Sequence, residues 1–99
     1  MDKDMFKITL SKAVKFEDKE YKEVDLSGLE NLTAESLCRA DNRMSRMGIV
    51  APVKEMNYEF CTIIAAEATE LPVEFFKALP AKDFSRIARA ISAFFLGAE

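Results

Sequence analysis

Apolar and polar residues follow two different periods along this chain, period two at the start and period three to four after residue 33. Phe6, Ile8 and Leu10 alternate with Lys7 and Thr9, the pattern of a strand with one buried face. Ser11-Lys12 reads as a short connection, Val14 and Phe16 resume the alternation, and Glu17-Asp18-Lys19 is turn-like. Tyr21 to Leu26 then reads as a return strand, so residues 5–26 form an antiparallel β-hairpin or a small meander. Two or three strands are marginal alone, and one face must pack on the helices downstream. Met1 to Asp4 are charged and are expected to fray.

The helical region covers residues 33–97. Thr33 is a good N-cap, with Glu35 in the first turn, where its charge complements the helix dipole. Leu37, Ala40, Met44 and Met47 make a narrow apolar stripe that Gly48 ends, and Ile49 to Lys54, with Pro52, reads as a loop. From Glu55 to Thr69 a second helix is apolar over a wide arc. Met56, Phe60, Ile63 and Ile64 take one side, Cys61, Ala65 and Ala68 the other, and Glu59, Thr62, Glu67 and Glu70 face solvent. An arc that wide touches two elements at once and puts this helix at the centre of the core. Pro72 and Pro80 each open a further helix, because the first turn leaves its N–H groups unpaired and the ring fixes a helical φ. The first of these runs from Val73 to Ala78. The second carries Phe84, Ile87, Ala88, Ile91, Phe94 and Phe95 on one face and Lys82, Ser85, Arg86, Arg89 and Ser92 on the other, with Gly97 as its C-terminal cap. The fold class is therefore α+β, a hairpin or small meander packed on a C-terminal bundle of three to four helices. With 99 residues, positions 1–99 make a single domain with one modest core.

Composition removes most chemistry. The chain has no histidine, three glycines and no C-x-x-C pair, so a zinc site would need an all-carboxylate or mixed ligand set, and a phosphate-cradling loop and the usual base for a nucleophile are missing. The carboxylates Glu67 with Glu70, or Glu74 with Asp83, could do acid–base work, but Glu74 and Asp83 are explained by their places in first helical turns. We expect no catalytic residues, no metal, no cofactor and no enzymatic activity. Cys38 and Cys61 are far apart, and both are expected as small buried or half-buried thiols rather than a disulfide. A net charge of −3 offers no general attraction to nucleic acid or anionic lipid, and no apolar run is long enough to cross a bilayer. Protein partners and a cytosolic location are expected.

Six residues stand out as candidates for a partner-binding surface. Arg39, Arg43 and Arg46 share the face of the first helix opposite its methionine stripe. They read either as a dock for an acidic protein segment or nucleic acid, or as a solvated face in which the later arginines answer the helix dipole. Phe75 and Phe76 are adjacent in a short helix and point different ways, so one is expected in the core and the other at a partly exposed site. Leu96 lies about 120° from Phe84 on the helical wheel, off the buried stripe. Joined to one of those phenylalanines it would mark an interface.

Several of these stretches together resemble the phage tail assembly chaperones of Mu-like phages and prophages. The likeness is carried by Val14, Phe16 and Tyr21 in a V-x-F-x-x-x-x-Y core and by Asp25, Leu26 and Leu29 in a D-L-x-x-L step. It continues through Ala68-x-x-Leu71-Pro72, Leu79-Pro80-x-x-Asp83-Phe84 and the terminal Phe95-Leu96-Gly97. Asp18 stands where the hairpin turn would carry glycine. The resemblance implies a protein of the bacterial host cytoplasm that binds the tape measure protein and helps recruit tail tube protein subunits during tail morphogenesis. It also implies a frameshift-extended form of the chain, with the extension joined after the Gly97 cap. The competing readings are a small helical nucleic-acid-binding regulator built on the three arginines, which salt-dependent DNA binding would reveal, and a structural tail subunit, which would appear in purified particles.

Overall fold

The computed structural model describes residues 6–50 and 57–97. Its elements run β1 (Lys7–Phe16), β2 (Lys19–Asp25), a 3-10 turn (Ser27–Asn31), α1 (Ala34–Arg46), α2 (Tyr58–Thr69), α3 (Val73–Lys77) and α4 (Ala81–Leu96). The expected fraying of Met1 to Asp4, most of the loop from Ile49 to Lys54, and the helix start at Glu55 with Met56 all lie outside the described residues.

The sheet is a two-stranded antiparallel hairpin, not a meander. Ser11-Lys12 is no connection. β1 runs straight through it, and the register shifts there between Thr9, which pairs with Glu23, and Val14, which pairs with Tyr21. Such a bulge bends a strand without ending it. Glu17 and Asp18 form the tip, both with positive φ, 50° and 66°. That is the twist a two-residue hairpin turn needs.

The hairpin lies on the helices along its whole length. Near its tip Phe16 and Tyr21 meet the Phe75 ring of α3 edge-on, at centroid separations of 5.6 and 4.7 Å. Near its base Phe6 meets Phe94 of α4 at 6.1 Å. Phe16 and Tyr21 of the V-x-F-x-x-x-x-Y set thus join Phe6 in the aromatic contacts, and Val14 packs half-buried against the core.

α2 is the central helix, with every residue from Phe60 to Ala65 buried. It packs against α1, α3, α4 and the 3-10 turn. This is the placement that its wide apolar arc requires. Thr62, expected in solvent, is buried as well, because its hydroxyl donates to the Tyr58 carbonyl at 2.8 Å and so needs no water. Asn57 begins the helix by accepting from the Phe60 N–H at 3.1 Å. At the other end α2 touches the 3-10 turn so closely that a Cβ on Gly28 would sit 2.1 Å from the Ala68 carbonyl oxygen. Only glycine allows that approach.

α4 follows the expected stripe, with Ile87, Ala88 and Ile91 buried and Gly97 closing it at φ 73°. α1 buries Ser36, Ala40 and Met44. Its N-cap Thr33 donates its backbone N–H to Ser36 Oγ at 3.4 Å. Both cysteines are free, but only Cys61 is buried. Cys38 is exposed, because it falls on the outer side of α1, beside Arg39 and away from the Ala40–Met44 stripe.

Candidate functional site

The periodicity of α1 that sends Ala40 and Met44 inward turns Arg39, Arg43 and Arg46 outward, and α2 runs close beside them. The three arginines line one cleft of about 280 Å³ between the two helices, with Ala40 and Ile63 below and Glu67 of α2 on the opposite wall. Arg39 and Glu67 form an ion pair across it, and Arg39 also reaches Ser36 Oγ at 3.5 Å. The hydrogen bond to Glu67, then that residue's negative charge, raises the Arg39 guanidinium above its already high value. Arg43 and Arg46 are exposed in the last turn of α1, where positive charge suits the carbonyl end of the dipole.

A second groove, of about 350 Å³, runs between α2 and α4. Its rim holds Tyr58 and Leu96, which are 64 % and 54 % exposed, and its polar side carries Ser85, Arg89 and Ser92. Cys61 lies at its floor, with Sγ 3.8 Å from the Ala88 carbonyl and 3.9 Å from Ser92 Oγ. Burial pushes the Cys61 thiol up, against a smaller lowering by the Ser92 contact, which favours its protonated form.

The structure divides the six sequence candidates. Arg39, Arg43 and Arg46 are brought together on one cleft. Phe75 and Phe76 are removed from any surface: both are buried, at 0 % and 1 % exposure, where one was expected partly exposed. α3 is covered on two sides, by the hairpin rings against Phe75 and by α2, so side chains a helical step apart can both be inside. Leu96 is exposed as expected. It joins Tyr58 rather than a phenylalanine of α3. Tyr58 escapes the sequence reading because a helix start at Glu55 hides its position in the first turn. The signal that marks it is Asn57, an N-cap that sets Tyr58 ahead of the buried run.

The four carboxylates weighed for acid–base work go to other uses. Glu67 pairs with Arg39, Glu70 caps α2 in the left-handed region at φ 62°, and Glu74 stands in the first turn of α3. Asp83 is buried and accepts hydrogen bonds from both β1 and α4. The Ser11 N–H donates to its two oxygens at 3.1 and 3.2 Å, and the Ser11 hydroxyl donates at 3.0 Å. Arg86 pairs with it at 2.8 Å and also donates to the Thr9 carbonyl. Asp83 therefore holds the bulge of β1 to α4, from the place in the first turn of α4 that the sequence gives it. No group of three or more histidine, cysteine, aspartate or glutamate side chains able to hold a metal ion occurs among the described residues.

No helix among the described residues is long and apolar enough to cross a membrane. The family model for phage tail assembly chaperone proteins, E, or 41 or 14, matches residues 7–96. No curated protein and no solved structure matches the chain.

Proposed function

The chain belongs to the phage tail assembly chaperone family, and we propose that it works by binding the tape measure protein and helping to recruit tail tube subunits in the cytoplasm of the bacterial host. The observation that carries this reading is the extent of the match. It begins at the first residue of β1 and ends at the last residue of α4, so the unit the family shares is the folded unit itself. The geometry supports the same reading. Two helix-lined grooves, one lined with arginine and one rimmed by Tyr58 and Leu96, are surfaces suited to a helical client. The role we propose is non-enzymatic, one of keeping a long apolar client soluble while tube subunits arrive.

Purified protein mixed with the tape measure protein of the same phage should co-elute on size exclusion as a complex distinct from either component. Separate elution at micromolar concentrations of both would overturn the reading. A turnover assay showing hydrolysis lost on replacing Glu67, Glu70, Glu74 or Asp83 would overturn the non-enzymatic part alone.

A further inference from the structure

Arg39, Arg43 and Arg46 succeed one another at steps of four and three residues, so they stand along one side of α1 over about 10 Å at the helical rise. They differ in one respect. Arg39 holds the carboxylate of Glu67, whereas Arg43 and Arg46 have no ion-pair partner among the described residues. Beneath the ridge the cleft is apolar at Ala40 and Ile63. The cleft thus combines a cationic ridge, an apolar floor and an internal carboxylate already seated on one of its three positions.

We propose that this cleft receives a carboxylate-bearing helix of the chaperone's protein client, and that Glu67 is the internal stand-in which the client's first carboxylate displaces from Arg39. The proposal rests on the chaperone reading. Charge complementarity selects the occupant. A helix with acidic side chains at steps of three and four meets the arginines at their own spacing, and its apolar side reaches Ile63. Guanidinium groups bind carboxylates through charge-assisted N–H donors, as Arg39 binds Glu67 here. The Arg39–Glu67 pair is partly exposed, 55 % at Arg39 and 30 % at Glu67, and pairs open to solvent are weak enough to exchange. A nucleic acid backbone fits the same place poorly. The chain carries a net charge of −3, and both Glu67 and Glu35 act on Arg39, so phosphates laid along the ridge would meet those carboxylates as well.

The test compares the wild type with three variants for affinity to the tape measure protein of the same phage, each variant first shown by its melting curve to be folded. R43E/R46E should weaken binding at least tenfold. E67Q should tighten it several-fold, since it removes the competing charge, whereas a merely structural Glu67 would leave binding unchanged or weaker. K12E/K82E, with the same change in net charge on exposed sites elsewhere, should bind as the wild type does. Wild type that fails to bind overturns the chaperone reading and this proposal with it. Wild type that binds while R43E/R46E binds equally well overturns the cleft alone. Unchanged or weakened binding by E67Q overturns the stand-in role. Tight wild-type binding to duplex DNA, steeply lost with salt and lost in R43E/R46E, would make the cleft a nucleic acid site and overturn the proposal.

Discussion

Leu10 to Ala13 of β1 stand against Lys22 of β2, where the register shifts, and the main-chain groups of that bulge need partners other than the neighbouring strand. Asp83 and Arg86, one helical turn apart on α4, supply them: the carboxylate takes the Ser11 N–H and the guanidinium takes the Thr9 carbonyl. Burial pushes the Asp83 carboxyl up, but hydrogen bonds from Arg86 and from the Ser11 hydroxyl and amide outweigh it and hold the group below the usual carboxylate range. A carboxyl lowered on folding stabilises the fold fully above its unfolded value, near pH 3.9, and that contribution disappears as pH falls through the folded value. Asp83→Ala should cost about 3 kcal/mol in urea melts at pH 7. The wild type should lose more stability than Asp83→Asn between pH 5 and pH 2, a difference that parallel melts would read directly. At the hairpin tip a substitution should stabilise the fold instead. Asp18 holds φ 66°, a conformation glycine adopts freely, so Asp18→Gly should add about 0.5 to 1 kcal/mol by the same melts.

Contacts between elements explain why one small residue and one buried one matter most. Gly28 lets the 3-10 turn lie directly on the last turn of α2, and the atom its Cβ would strike is backbone, which cannot swing aside. Gly28→Ala should therefore cost about 3 kcal/mol, at the upper end for overpacking, measurable as a shift in the denaturation midpoint. Ile91 is wholly buried on α4, so Ile91→Ala should cost about 2 to 5 kcal/mol, while Lys82→Ala on the same helix should change little. Elements of this kind are legible in the sequence wherever one residue type suffices to mark them. Pro72 and Pro80 open α3 and α4, Thr33 opens α1, Gly97 closes α4, and the alternation in β1 sets its buried face. The features that stay hidden depend on residues far away along the chain. The bulge at Ser11 reads as a break because its partner, Asp83, is 72 positions on. Phe76 can be buried beside Phe75 only because both the hairpin and α2 cover α3. The arginine face is legible from α1 alone, whereas its cleft is not, since Glu67 and Ile63 come from α2.

For the whole molecule, the charge distribution and the grooves set what the protein can meet. An acidic chain, with a sequence pI of about 5.1, gathers three of its five arginines on one cleft and places Tyr58 and Leu96 on the rim of another. The hairpin, by contrast, shows Lys19, Glu20, Lys22, Glu23 and Asp25 exposed along β2, a density of charge that discourages pairing with a further strand. The helix-lined surfaces are therefore the ones we propose for recognition of a helical client. The most direct test of this account is the soluble fraction of the tape measure protein when it is expressed in bacteria with and without this chain. The account predicts that co-expression moves most of the tape measure protein into the soluble fraction. A tape measure protein that stays insoluble at every expression ratio, or is equally soluble alone, would contradict it.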